Sequence, residues 1–361
     1  MSFPLPGDRR PGNRQPRLRG DRRPANPRPP RNRKLLGAAL AVAVVAGATT
    51  ITAAAPPAPS AATASPASAS SAGEQLPAGF REHKARVAGI GLHYVIGGHG
   101  PTLLLIHGYP QTWYEWHGIM PALARHYTVI APDLPGAGQS DAPPAGYDKK
   151  TMATELHALL ASIGKDRDVR IVGHDIGTMV AYSYAAQYPA TVTKLVLSEA
   201  PIPDPSIYTI PSLTAKGPGV WNFGFFNLTS GLPENMIKGR EVAWTAGFIG
   251  GFEGVKGAVS AADIRVFAHY LRDPAHLAAS LAWFRVFPQD IRDDARFQRT
   301  PLRMPVLAIG ASGSLGASEG DQAERYASDV TGVVIPDSGH WIYEEHPDEL
   351  TALLLDFLGR R

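Results

Sequence analysis

The sequence predicts an α/β fold, with a mostly parallel central sheet flanked by helices and a helical cap inserted late in the chain. Two observations carry this. Short β-branched runs, each ending at glycine or a polar residue, alternate with stretches of helical spacing from about residue 76 onward. Between residue 201 and about residue 300 that alternation stops, and only helical, aromatic-rich patterns remain. With 361 residues, 44% of them hydrophobic, the chain can bury one large core and an inserted subdomain.

The elements follow in order. "TLLLIHG" (102–108), "YTVIAPD" (127–133), "VRIVGHD" (169–175) and "KLVLSEA" (194–200) are compact enough to be buried parallel strands. "TMATELHALLASIG" and "GTMVAYSYAAQYP" lie between them with helical spacing and stop signals. The cap is expected at about 203–300. Two further strands, "MPVLAIG" (304–310) and "TGVVIPDSGH" (331–340), precede a last helix near "PDELTALLLDFLG". Helix-connected parallel strands call for right-handed crossovers.

The amino terminus reads differently. Residues 1–34 carry a net charge of +9 and the whole chain +3, so residues 35–361 carry −6. The part that folds is mildly acidic, and nothing in it suggests nucleic-acid binding. The basic stretch runs into "LLGAALAVAVVAGATTITAAA" (35–55), an apolar run ending in small residues. Residues 1–55 therefore read as a secretory signal cut near Ala53–Ala55, with export as the expected outcome. An uncleaved, membrane-anchoring segment is the alternative, although a run so rich in Ala, Gly and Thr is a weak span. Residues 56–75 are a Pro/Ala/Ser linker, and residues 76–361 form the folded domain. The absence of cysteine rules out disulfides, a thiol nucleophile and cysteine-bound metal.

"GHDIG" (173–177) follows a strand and opens a helix, the setting of a nucleophile elbow. Its central residue is Asp175 in place of serine. A carboxylate there makes an ester by displacement at saturated carbon, which argues against esterase, lipase or peptidase chemistry. The ester must then be hydrolysed by water that a base activates. His340, after the last strand in "PDSGH", is the histidine so placed. The orienting acid is read as Glu199, at the carboxyl end of a strand, in preference to Asp321 in the loop "ASGSLGASEGDQ". Oxyanion donors are expected from the backbone N–H groups of Tyr109 and Ile176. Trp113 is expected on the pocket floor. His107 is read as a loop-shaping residue, His174 as a packing residue facing away, and Tyr208 as packed at the base of the cap.

With these residues in place the chain resembles the epoxide hydrolases of the α/β-hydrolase fold, above all their secreted Cif-type branch. "HGYPQTWYEW", "VIAPDLPGAGQS", "GHDIG", "SEAPIPDPSIYTIP", "VWNFGFF" and "DSGHW" carry the likeness over about residues 80–358. The resemblance implies that Glu199 is the relay acid and that two cap side chains bind the epoxide oxygen. Ordinary epoxide hydrolases use two tyrosines for this, and the Cif-type branch a histidine and a tyrosine. The tyrosine position matches Tyr270 in "AHYLRDP". The histidine position falls on Asn222, a departure, since an amide donates a hydrogen bond but cannot become a cationic acid. The resemblance further implies a small-molecule epoxide as substrate, no metal or organic cofactor, and a homodimer. A dehalogenase using the same nucleophile is the rival reading, weakened because Ile176 stands where such enzymes carry tryptophan or arginine. A catalytically inactive exported binding protein is a third.

Overall fold

The expected parallel strands form the middle and one side of a single sheet. The computed structural model describes residues 65–66, 73–215 and 217–359, so the signal at 1–55 and most of the linker lie outside the described residues. The strands are β1 Phe80–Val87, β2 Ile90–Gly98, β3 Thr102–Ile106, β4 Thr128–Pro132, β5 Val169–His174, β6 Val192–Ser198, β7 Val306–Ala311 and β8 Val330–Ile335. Their spatial order is β1-β2-β4-β3-β5-β6-β7-β8, with the two-residue strand Ser65–Pro66 outside β1. From β4 to β8 every pairing is parallel. The β1–β2 hairpin and the β2–β4 pairing are antiparallel. This hairpin is the main element without a strong signal in the sequence. Its charged "REHKARV" strand carries little apolar signal, because it pairs near the sheet's edge.

The central strands are buried on both faces: all five residues of β3 and all six of β7 are buried. Such strands read as continuous apolar runs because helices cover both sides. The covering helices include α1 Lys149–Ser162, α2 Ile176–Gln187 and, at the end of the chain, Pro347–Gly359. Asp148 starts α1 by accepting a hydrogen bond from the Thr151 N–H.

After β6 the chain leaves the sheet and builds the cap. Its helices are α3 Trp221–Phe226, α4 Leu232–Ile237, α5 Glu241–Phe252, α6 Ala261–Tyr270, α7 Pro274–Arg285 and α8 Phe287–Phe297. Ser260 and Asp263 close a capping box at the start of α6. A cluster of aromatics holds the cap together, with the Phe226 and Phe284 rings 4.8 Å apart and Trp244 parallel to Phe248 at 6.4 Å. Tyr208, expected to pack beneath the cap, is instead 64% exposed on a short 3₁₀ turn.

Register brings the chemistry to one edge. Ile106 pairs with Gly173, His174 with Ser198, and Ser198 with Ile309. The residues that follow these pairs therefore emerge together at the carboxyl ends of the strands. There a crevice opens in an α/β sheet of this kind.

Candidate active site

Asp175 stands at the turn from β5 into α2 with φ +51 and ψ −124, outside the common regions for a non-glycine residue. The turn is possible only because its neighbours lack Cβ atoms. A Cβ on Gly177 would lie 1.9 Å from the Ile106 carbonyl oxygen, and one on Gly173 would lie 2.4 Å from that of Gly177. A Cβ on Gly108 would meet the Cβ of Asp175 itself at 2.3 Å. These three glycines let the nucleophile strand, its helix and the "HGYP" loop approach closely enough to present the carboxylate.

Three side chains meet there. His340 Nε2 lies 3.6 Å from Asp175 Oδ2, and His340 Nδ1 lies 3.3 Å from Glu199 Oε2. Glu199 is buried, at φ +58, and its other oxygen accepts the Ala311 N–H at 2.5 Å. Asp321 is exposed on the helix Ser318–Ala323 and takes no part. Its neighbour Glu319 is buried instead. Burial and the nearby charge of Glu199 push the Glu319 carboxyl well above the usual range.

The electrostatics follow from the two carboxylates on either side of one imidazole. Burial works against a charge on His340, yet contacts with Asp175 and Glu199 outweigh it and raise the imidazole to about 10. Burial likewise opposes ionisation of Asp175. Contacts with His340 and the Tyr109 N–H overcome it and hold the carboxyl below its ordinary value. The resting site is thus a carboxylate nucleophile paired with an imidazolium.

The expected donors and pocket residues divide. The Tyr109 N–H donates to Asp175 Oδ1 at 2.7 Å. Ile176 is buried at the first position of α2, but its N–H makes no bond to the carboxylate among the described residues. Asn222 lies on α3, 6% exposed, on the wall of a cavity of about 50 Å³ that also includes Asp175, Glu199 and His340. Its Oδ1 has no hydrogen-bond partner among the described residues. Val220, Phe223, Phe248, Phe252 and Leu315 make the rest of that wall largely apolar.

Two assignments need correction. Tyr270 is not brought to Asp175. It ends α6, and its hydroxyl donates to a Glu74 carboxylate oxygen at 2.9 Å. It lines a separate small cavity with Gln111, Gly136 and His276. Replacing Tyr270 by Phe is therefore expected to leave the chemical steps within about twofold of wild type in single turnover, as for a side chain outside the site. Trp113 is not on the pocket floor either. Its backbone N–H donates to Asp133 Oδ1 at 2.9 Å, which fixes the loop, and its fully buried ring turns inward to pack edge-on against Tyr114.

The histidines of the two loops are also sorted. His107 ties its loop together, its Nδ1 donating to the Gly108 carbonyl and its Nε2 accepting the Leu134 N–H, each at 3.0 Å. His174 does more than pack. Its Nδ1 lies 2.8 Å from Glu115 Oε1, and its Nε2 lies 2.8 Å from the carbonyl oxygen of His340. The sequence does hold a signal for this contact: an acid inside the aromatic run "TWYEW" has no solvent to face.

The family model for the alpha/beta hydrolase fold matches residues 101–347. A soluble epoxide hydrolase from Corynebacterium sp. strain C12 is 30% identical over 293 residues, 77% of this chain and 96% of its own. A fluoroacetate dehalogenase from Burkholderia sp. is 28% identical, over 78% of this chain and 94% of its own. The crystal structure of the Cif epoxide hydrolase from Acinetobacter nosocomialis superposes with a TM-score of 0.75 at 26% identity, covering 79% of this chain and 91% of that one. The chain therefore belongs to the α/β-hydrolase fold family, in its epoxide hydrolase branch.

Proposed function

We propose that this enzyme opens a small, neutral epoxide to a vicinal diol through an ester on Asp175. The observation that carries the reading is the single imidazole of His340 set between the Asp175 nucleophile and Glu199. Asp175 attacks one epoxide carbon, the C–O bond breaks, and the opening oxygen takes a hydrogen bond from the Asn222 amide and a proton from solvent. Alkylation removes the negative charge on Asp175. That charge had helped hold the proton on His340, so the imidazolium becomes a stronger acid and loses its proton to bulk water. His340, oriented by Glu199, then takes a proton from the water that attacks the ester carbonyl, while the Tyr109 and Ile176 N–H groups stabilise the oxyanion. Diol leaves and the carboxylate is restored. The resting charge on His340 thus protects the nucleophile, and its loss on alkylation starts the hydrolytic step.

The substrate class follows from the wall. Among the described residues lining the cavity none is Lys or Arg, so there a carboxylate on the substrate would find only the cation of His340, already paired. Single turnover in oxygen-18 water is expected to place the label in Asp175, read by peptide mass. Diol formed with Asp175 unlabelled would mean direct attack by water and end the ester route.

Displacement of halide is the second reading, and one observation favours it. Among the described residues no tyrosine lines the Asp175 cavity, and halide, unlike an alkoxide, leaves without a proton. A neutral haloalkane would suit this wall better than a haloacid. Halide release with epoxides inert would decide for it. We further propose export: residues 1–55 are a cleaved signal and the mature chain begins within the linker. Mass analysis of the protein recovered from culture medium is expected to show the amino terminus near Ala53–Ala55. Dimerisation belongs to the same proposal and is read by light scattering.

A further inference from the structure

We propose that Glu115 and His174 form a buried clamp that positions His340 through its main chain, and so governs hydrolysis of the ester more than its formation. The inference rests on the ester route proposed above. The contacts join three segments distant in sequence: the 3₁₀ turn Trp113–Gly118, the end of β5, and the loop that carries His340. Both clamp residues are buried, His174 fully. A carbonyl oxygen can only accept, so the 2.8 Å contact to His340 requires a proton on His174 Nε2. Nδ1, facing the Glu115 carboxylate at 2.8 Å, sits at ion-pair distance without the alignment of a hydrogen bond. Glu115 keeps its second oxygen on the Gly108 N–H at 3.3 Å, beside the Tyr109 N–H that holds Asp175.

The His340 peptide is held from two sides. Its N–H donates to the Phe252 carbonyl of α5 at 2.9 Å, and its carbonyl accepts from His174. The first bond ties the loop to the cap and the second to the core next to the nucleophile. The loop has no room to adjust: a Cβ on Gly339 would lie 2.2 Å from the Gly254 nitrogen. The side-chain geometry has little slack either, with His340 at 3.6 and 3.3 Å from its two carboxylates. A shift of about 1 Å in a catalytic group costs on the order of a hundredfold. Alkylation needs only the carboxylate and its backbone donor, which leave His340 in the role of counter-ion. Ester hydrolysis needs the imidazole in place to take a proton from water. A displaced His340 therefore slows the second step more than the first.

The test uses the full chain with His174→Phe, His174→Gln and Glu115→Gln, and styrene oxide as the probe. Rapid quenching and intact-protein mass give the rates of adduct formation and decay. His174→Phe is expected to form the adduct within about threefold of wild type and to release it about tenfold to a hundredfold more slowly, as outer-shell supports do. The amide N–H of Gln can still reach the His340 carbonyl, so His174→Gln is expected to recover part of the loss, and Glu115→Gln to fall between. Wild-type adduct lifetime in His174→Phe, or equal slowing of both steps in all three variants, would overturn the clamp. If His174→Phe does not fold, as judged by circular dichroism, the other two variants decide, and wild-type lifetime in both is then the overturning result. A second reading needs no substrate: titration of His340 by nuclear magnetic resonance, near 10 in wild type, is expected to move down in the variants as the imidazole leaves its carboxylates. An upward or absent shift would overturn the clamp, whereas failure of styrene oxide to alkylate the wild type would count only against the epoxide reading.

Discussion

Replacing His340 by Gln is expected to arrest the enzyme as its covalent ester. The nucleophile and the Tyr109 donor remain, so alkylation proceeds, while the base that activates water is gone. General-base assistance contributes about 10²–10⁴-fold, and hydrolysis of the adduct is expected to slow by that amount. Intact-protein mass would then rise by one substrate mass with an epoxide, since ring-opening by addition expels nothing, and one mole of diol or less would appear per mole of enzyme. With a haloalkane the gain would be that of the alkyl group alone, because halide departs. The same measurement therefore separates the two substrate readings. Steady multiple turnover by His340→Gln would remove His340 from the mechanism.

Substituting Asp175 by Asn is expected to lower turnover by about 10⁴-fold or more, as removal of a nucleophile does elsewhere. It carries a second signature in pH. His340 is raised to about 10 with Asp175 and Glu199 both beside it, despite its burial. Removing one carboxylate leaves desolvation against a single partner, and the His340 titration is expected to fall by about 1–3 units. The sign for stability follows. A histidine raised in the folded state adds stability that is fully present below its unfolded value, near 6.5, and is lost as pH rises toward 10. Asp175, held low when folded, adds stability above the ordinary carboxylate range that is lost as pH falls through its folded value. The wild type should therefore lose melting temperature between about pH 6.5 and 10 through His340, and Asp175→Asn should lose less over that interval. Equal slopes in the two proteins would show that the charge pair does not couple to folding.

The site has one further consequence for design of substrates. The apolar aromatic wall of Phe223, Phe248 and Phe252 suits a small hydrocarbon or aryl group, and in the proposed reaction the Asn222 amide is the donor toward the opening oxygen. Because an amide cannot protonate an alkoxide, epoxides whose opened oxygen is less basic are favoured in this reading.

The amino-acid sequence by itself determined which segments become the parallel strands, the elbow and its carboxylate, and the loop bearing His340. These are local matters: apolar periodicity records burial, and the glycines at 173 and 177 record a turn that no other residue fits. Glu199 was legible for a related reason, since an acid at the end of a buried strand has nowhere to go except the crevice. Tertiary structure alone decided which way the side chains on loops and cap helices point. Tyr270 and Trp113 lie on segments the sequence places near the site, yet a bond to Glu74 and one to Asp133 turn them elsewhere. The contact of Glu115 with His174 and His340 likewise spans segments far apart in the chain. Local propensity carries no record of such partners, because their geometry exists only once the sheet has brought the three loops to a common edge.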